Sequence, residues 1–211
     1  NPCGAVYSRE HLQEIVKCAD ELKLPIIADE VYAGMTFDKR FVPVAEVATG
    51  VPVFSVGALS KRWLVPGWRL GWVCVHDVND NLHGSGVREA INSLCQISLG
   101  PSVPLQAAVT SILFNDDKQW LADIMGSLKL AAATSAERAS KIEGLSTVTP
   151  PQGAMYVLIR VDLSAFKDCP TDVKFAEELL AEESVLVLPG NCFKAPGFVR
   201  IVTTVPVSVL Q

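Results

Sequence analysis

A change of period near residue 23 constrains this chain most. Leu12, Ile15, Val16, Ala19 and Leu22 recur at helical spacing, so one stripe of an amphipathic helix is expected to be buried. Ser8 stands where a helix N-cap belongs, with Glu10 in the first turn. After Lys23 the text switches to "LPIIADE", a short apolar run that reads as a buried strand ending near Asp29. Two more apolar runs follow, Val51 to Val56 and Leu70 to His76. Strands fed by helical segments predict an α/β layer.

From about Val87 to Ile142 the pattern is mostly helical, broken at Pro101 and Pro104, with Pro104 suited to a first helical turn. Trp120 to Ile142 reads as one long helix that Gly126 weakens, and Gly144 as its stop. The last part alternates differently. A strand in "GAMYVLIRVDL", a helix from about Asp172 to Glu183, and the strand-like "SVLVLPG" and "FVRIVTTV" predict a smaller α+β unit. No repeat or low-complexity segment interrupts it. The chain starts at Asn1 without methionine and stops at Gln211 after an apolar run, so it is expected to be a fragment.

Composition excludes several classes of function. The chain is 49% hydrophobic and 19% charged, enough for a packed core. A net charge of -5 with no basic run gives no reason to bind nucleic acid. The apolar runs are too short to span a bilayer. Six cysteines without a CxxC pair read as reduced, mostly buried thiols of a cytosolic-type protein. Three histidines and no HExxH make a metal site unexpected. Neither a nicotinamide-type GxGxxG nor a phosphate-binding GxxxxGK[ST] is present.

Within this frame a few polar residues stand out. Asp29 closes a buried run, where open α/β sheets bind ligands; alone it reads equally as a turn aspartate. Tyr32, three residues on, faces the same pocket if a helical turn follows, or else belongs to the core. "SVGALSKRWLVPGWRLGW" sets Lys61 after small residues and Arg69 eight positions later, between two Gly-Trp elements. Gly57, Ala58 and Ser60 would let the backbone approach a ligand closely. The dull alternatives are an exposed lysine and, for Arg69, a structural ion pair. A guanidinium in apolar surroundings wants a carboxylate or phosphate. Arg200 in "FVRIV" raises the same question, against an edge-strand arginine facing solvent. The tryptophans at 63, 68 and 72 read as packing rather than as a stacking platform.

Taken together, "NPCG", "ADEVYAGM", "KRWLVPGWRLGW", "GAMY" and "FVRIVTTVP" occur in an order that resembles class I aminotransferases, a family of fold-type I pyridoxal-phosphate enzymes. The likeness runs over nearly the whole chain and matches the later part of such enzymes. It implies an α/β large domain, here partial and ending near residue 125, then a small α+β C-terminal domain over 126–211. It also implies pyridoxal 5'-phosphate as cofactor and transamination between small amino acids and 2-oxo acids, with tyrosine and 2-oxoglutarate the expected pair. Lys61 would bond the cofactor aldehyde and carry the catalysis. Asp29 would pair with the pyridine nitrogen, Tyr32 and Asn1 with the ring hydroxyl oxygen, and Arg69 with the phosphate. Arg200, beside Asn1, would hold the substrate α-carboxylate, and the Asn1–Pro2 bond would be cis. A homodimer in the cytoplasm is the family expectation, with mitochondria the other setting.

Ala58 departs from the family pattern. Many relatives have serine or glycine three residues before the lysine, so a hydroxyl contact to phosphate is missing there. Another fold-type I enzyme, such as a lyase or synthase, would carry the same cofactor residues. A non-catalytic interaction protein keeping the fold is the alternative from outside enzymology.

Overall fold

A computed structural model describes residues 1–97, 99–115 and 118–210. The chain packs as two units. One gathers Tyr7–Met35 and Arg40–Lys118; the other gathers Asn1–Val6, Thr36–Lys39 and Gln119–Gln211.

The first unit opens with helix α1, Arg9–Glu21, capped by the Ser8 hydroxyl, which accepts from His11 N–H at 3.2 Å. Strands β1 (Ile26–Asp29), β2 (Val53–Ala58) and β3 (Gly71–His76) follow. They form one sheet in the order β1-β2-β3, parallel then antiparallel. β2 is the central strand and the best buried, with Val53 fully enclosed. Helices α2 (Val87–Ile97) and α3 (Val103–Phe114) complete the unit, and Pro104 lies in the first turn of α3, where its missing N–H costs nothing. Residues 98, 116 and 117 of the expected helical stretch fall outside the described residues.

Two expectations of burial fail here. Only Leu12 and Val16 of the α1 stripe are buried, while Ile15 and Leu22 are exposed. β1 buries Ala28 alone and leaves Ile27 76% exposed. β1 has one strand neighbour, and nothing among the described residues covers its Ile27 side. Periodicity identifies the face that can be buried, not what covers it.

In the second unit, α4 runs Lys118–Ala139 and ends before Gly144, which has φ +85° in the turn that follows. Strands β4 (Leu145–Thr147), β5 (Tyr156–Val161), β6 (Leu188–Pro189) and β7 (Phe198–Val202) form an antiparallel sheet in the order β4-β5-β7-β6. Helix α5, Asp172–Glu183, is capped by Thr171 and lies on that sheet. The core joins Ala132 and Ala139 of α4, Val157 and Ile159 of β5, Phe175 of α5 and Val199 of β7.

The first residues belong to this unit for a visible reason. Gln152 N–H donates to Gly4 O at 2.9 Å, and Val6 N–H donates to the Gln152 side chain at 3.0 Å. Gly4 has φ +68°, and a Cβ there would sit 2.9 Å from Gly153 O, so no other residue fits comfortably. The Asn1–Pro2 bond is cis, as the resemblance implied.

The thiols differ from expectation: Cys18, Cys74, Cys95 and Cys192 are exposed, Cys3 and Cys169 half-buried, and none is buried. Cys18 lies on the outward side of α1, and Cys74 on a β3 whose residues are mostly uncovered.

Candidate active site

Sheet topology explains the spacing of Lys61 and Arg69. β1 and β2 run parallel, with Asp29 opposite Val56, so both strands end at one edge of the sheet. β3 pairs antiparallel with β2, Ala58 opposite Gly71, so it starts at that same edge. The connection between β2 and β3 closes there through Leu59 N–H donating to Leu70 O at 3.1 Å, with Leu59 fully buried and Leu70 nearly so. Lys61 leaves this closure on one side and Arg69 returns to it on the other. Asp29, Lys61 and Arg69 therefore share the carboxyl-end edge of β1 and β2, where open α/β sheets bind ligands.

Asp29 is exposed, and its Oδ1 accepts from Val31 N–H at 3.3 Å. No cation pairs with it among the described residues. The turn beyond it is fixed by Met35, 1% exposed, and by Glu30, whose carboxylate accepts from Val44 N–H at 2.8 Å. That turn carries Tyr32, and the half-buried Lys61 places its Nζ 5.8 Å from the Tyr32 ring centroid. Arg69 ends the 3-10 turn Pro66–Trp68 in a left-handed conformation, φ 49° and ψ 39°. Its Nη1 donates to Pro66 O at 3.0 Å. Among the described residues it forms no ion pair, so the structural-bridge alternative for Arg69 is not what holds it.

Gly57 corrects one reading of the segment. A Cβ there would meet the Trp72 indole, 2.5 Å from Nε1, so Trp72, across the strand, takes up the room that glycine leaves. Trp63 and Trp72 pack edge to face at 6.5 Å, as a packing role requires. Sequence reasoning also passed over Arg62. Its guanidinium lies over Trp63 at 5.2 Å and against Gly34, where a Cβ would come within 2.9 Å of Nη1. Arg62 thus braces the Lys61 turn against the Tyr32 turn. Its place beside Lys61 was the signal, and spacing alone gives it no meaning.

Asn1 and Arg200 lie in the other unit. Arg200 Nη1 donates to Asn1 Oδ1 at 2.7 Å. Arg200 is on β7, which lies between β5 and β6, so it is not an edge-strand arginine. Its guanidinium packs on Tyr156 at 4.1 Å and on Phe193 at 4.9 Å. Its Nε is buried with no hydrogen-bond partner. A buried donor left open is costly unless a ligand or water meets it.

These residues have close counterparts in known proteins. The chain belongs to the family described as aminotransferase class I and II, whose profile matches residues 1–210. It is 44% identical over 207 residues to a tyrosine aminotransferase of Mus musculus, covering 98% of this chain and 45% of the relative. It is 41% identical to a tyrosine aminotransferase of Dictyostelium discoideum, covering 100% of this chain and 51% of that protein. Among solved structures, a tyrosine aminotransferase from Leishmania infantum aligns with TM-score 0.93 at 33% identity, over 100% of this chain and 51% of that one. An alanine aminotransferase from Pyrococcus furiosus aligns with TM-score 0.90 at 33% identity, over 100% and 52%. The chain thus has the fold of these enzymes and spans about half the length of the curated relatives it matches.

Proposed function

We propose that this chain contributes to a pyridoxal-phosphate-dependent aminotransferase acting on an aromatic amino acid, with tyrosine as donor and 2-oxoglutarate as acceptor. The observation that carries the proposal is the common sheet edge of Asp29, Lys61 and Arg69. The donor set fits the cofactor: an amine for an aldehyde, a carboxylate without a cation for a pyridinium, and a guanidinium without a carboxylate for a phosphate. When bound, the cofactor supplies an electrophilic carbon and a ring that accepts the electron pair left at the substrate Cα.

Each residue has a task. Arg69 neutralises the phosphate, with more of that load because Ala58 brings no hydroxyl. Asp29 keeps a proton on the ring nitrogen by placing a negative charge beside it. Lys61 holds the cofactor and, once the donor's amine replaces it, moves the proton from the substrate Cα. Arg200 grips the α-carboxylate through two parallel hydrogen bonds and so fixes the direction of the Cα–H bond. Tyr32 and Asn1 are assigned to the ring hydroxyl oxygen by family resemblance. Residues 1–125 are assigned to the cofactor-binding domain and 126–211 to the small domain; the packing units divide near Gln119. A homodimer in the cytoplasm completes the proposal.

The test is Asp29→Ala in the full chain. The variant should still take up cofactor but lose exchange of the substrate Cα proton with solvent deuterium by orders of magnitude. Near-normal exchange would remove Asp29 from the mechanism.

A further inference from the structure

The geometry points to Phe193 as a positioning residue for Arg200: with Tyr156 it forms an aromatic clamp that orients the guanidinium for a carboxylate. This rests on Arg200 being the carboxylate anchor proposed above. An arginine side chain is long and rich in rotamers, and a two-pronged grip demands one orientation of its plane. Tyr156 and Phe193 supply that restraint, at 4.1 and 4.9 Å from the guanidinium carbon. Cation–π attraction grows as the contact is desolvated, and Tyr156 is 6% exposed.

The two rings are held in different ways. Tyr156 opens β5, opposite Val202 of β7, so the sheet register places it. Phe193 ends the 3-10 turn Gly190–Phe193, which needs its own anchor. Asp172, 3% exposed at the start of α5, provides it: its Oδ2 accepts from Asn191 N–H at 2.7 Å. Ala195 N–H donates to Gly190 O at 3.0 Å, and a Cβ on Gly190 would collide with the Ala195 carbonyl oxygen. Asp172 and Gly190 thus fix the turn that carries Phe193, and Phe193 fixes one side of Arg200.

With Asn1 on Nη1 and rings on Tyr156 and Phe193, the guanidinium has few ways left to turn. Its rotamer freedom is spent before any ligand arrives, so binding forgoes less entropy. The buried Nε, still unpartnered, shows that the clamp and not hydrogen bonding sets the plane.

The experiment compares 3-phenylpropionate with its neutral amide, 3-phenylpropanamide, by calorimetry on the full chain loaded with pyridoxal phosphate. Phe193→Met removes the ring and keeps the bulk. It should weaken the acid about tenfold, as expected for loss of one desolvated cation–π contact, and leave the amide unchanged. Phe193→Tyr should restore the acid, and the Met variant's KM for the amino donor should rise more than its kcat falls. If Phe193→Met melts early, Phe193→Leu is measured in the same way. Arg200→Lys separates the two claims. If Arg200→Lys weakens the acid while neither Phe193 variant does, the clamp falls and the carboxylate anchor stands. If Arg200→Lys leaves the acid unaffected, the anchor falls and the clamp with it. Equal weakening of acid and amide by Phe193→Met overturns the clamp, because the ring would then only line a pocket.

Discussion

Arg69 is a non-glycine residue with φ 49°, held there because Pro66–Trp68 turns the chain into β3. Its side chain answers only to a backbone carbonyl, so removing it disturbs little of the fold. Arg69→Ala should therefore raise the cofactor dissociation constant at least tenfold, as loss of a charge-assisted contact of about 1.5–3 kcal/mol implies, with the melting temperature of the cofactor-free chain nearly unchanged. Fluorescence titration reads the first and calorimetry the second; unchanged affinity would remove Arg69 from the phosphate. Gly57→Ala makes the opposite kind of prediction. Its Cβ would strike the Trp72 ring, so urea unfolding should show a loss of about 1–3 kcal/mol. An equally stable variant would mean the strand opens easily there. Chemistry-bearing residues could be picked out from type and setting, because a cation or carboxylate in apolar text needs a reason. The use of Gly57 could not, because it depends on Trp72 across the strand.

At the scale of elements, local signals read well and non-local ones poorly. Ser8 caps α1 and Thr171 caps α5, both within three residues of the N–H they accept. Thr171→Ala should lower stability by about 1 kcal/mol in urea, and Thr171→Ser should not. An unaffected Thr171→Ala would mean that packing on the sheet alone holds the end of α5. What sequence could not supply was strand order. "FVRIV" leaves edge and centre equally open, and only the pairing of β7 with both β5 and β6 decides for the centre. The α1 stripe failed for a related reason: spacing shows which side is apolar, while Ile15 and Leu22 depend on what lies over them. Phe193 was illegible too. Nothing in "LPGNCF" announces a ring over an arginine seven residues on, since a distant carboxylate, Asp172, fixes the turn.

At the scale of the whole molecule, the family is settled by likeness along residues 1–210, and the substrate is the open proposal. Tyrosine and phenylalanine should lead a panel of amino donors by kcat/KM in the full chain. If alanine or aspartate leads, the aromatic assignment fails while membership of the family stands. The central claim is narrower: one cofactor is held by the sheet edge that joins Asp29, Lys61 and Arg69. Reduction of the cofactor-loaded full chain with borohydride, then mass mapping of its peptides, tests it most directly. The account predicts one phosphopyridoxyl group, on Lys61, and none after Lys61→Ala. A label on other lysines, or unchanged labelling of the Lys61→Ala variant, would contradict it.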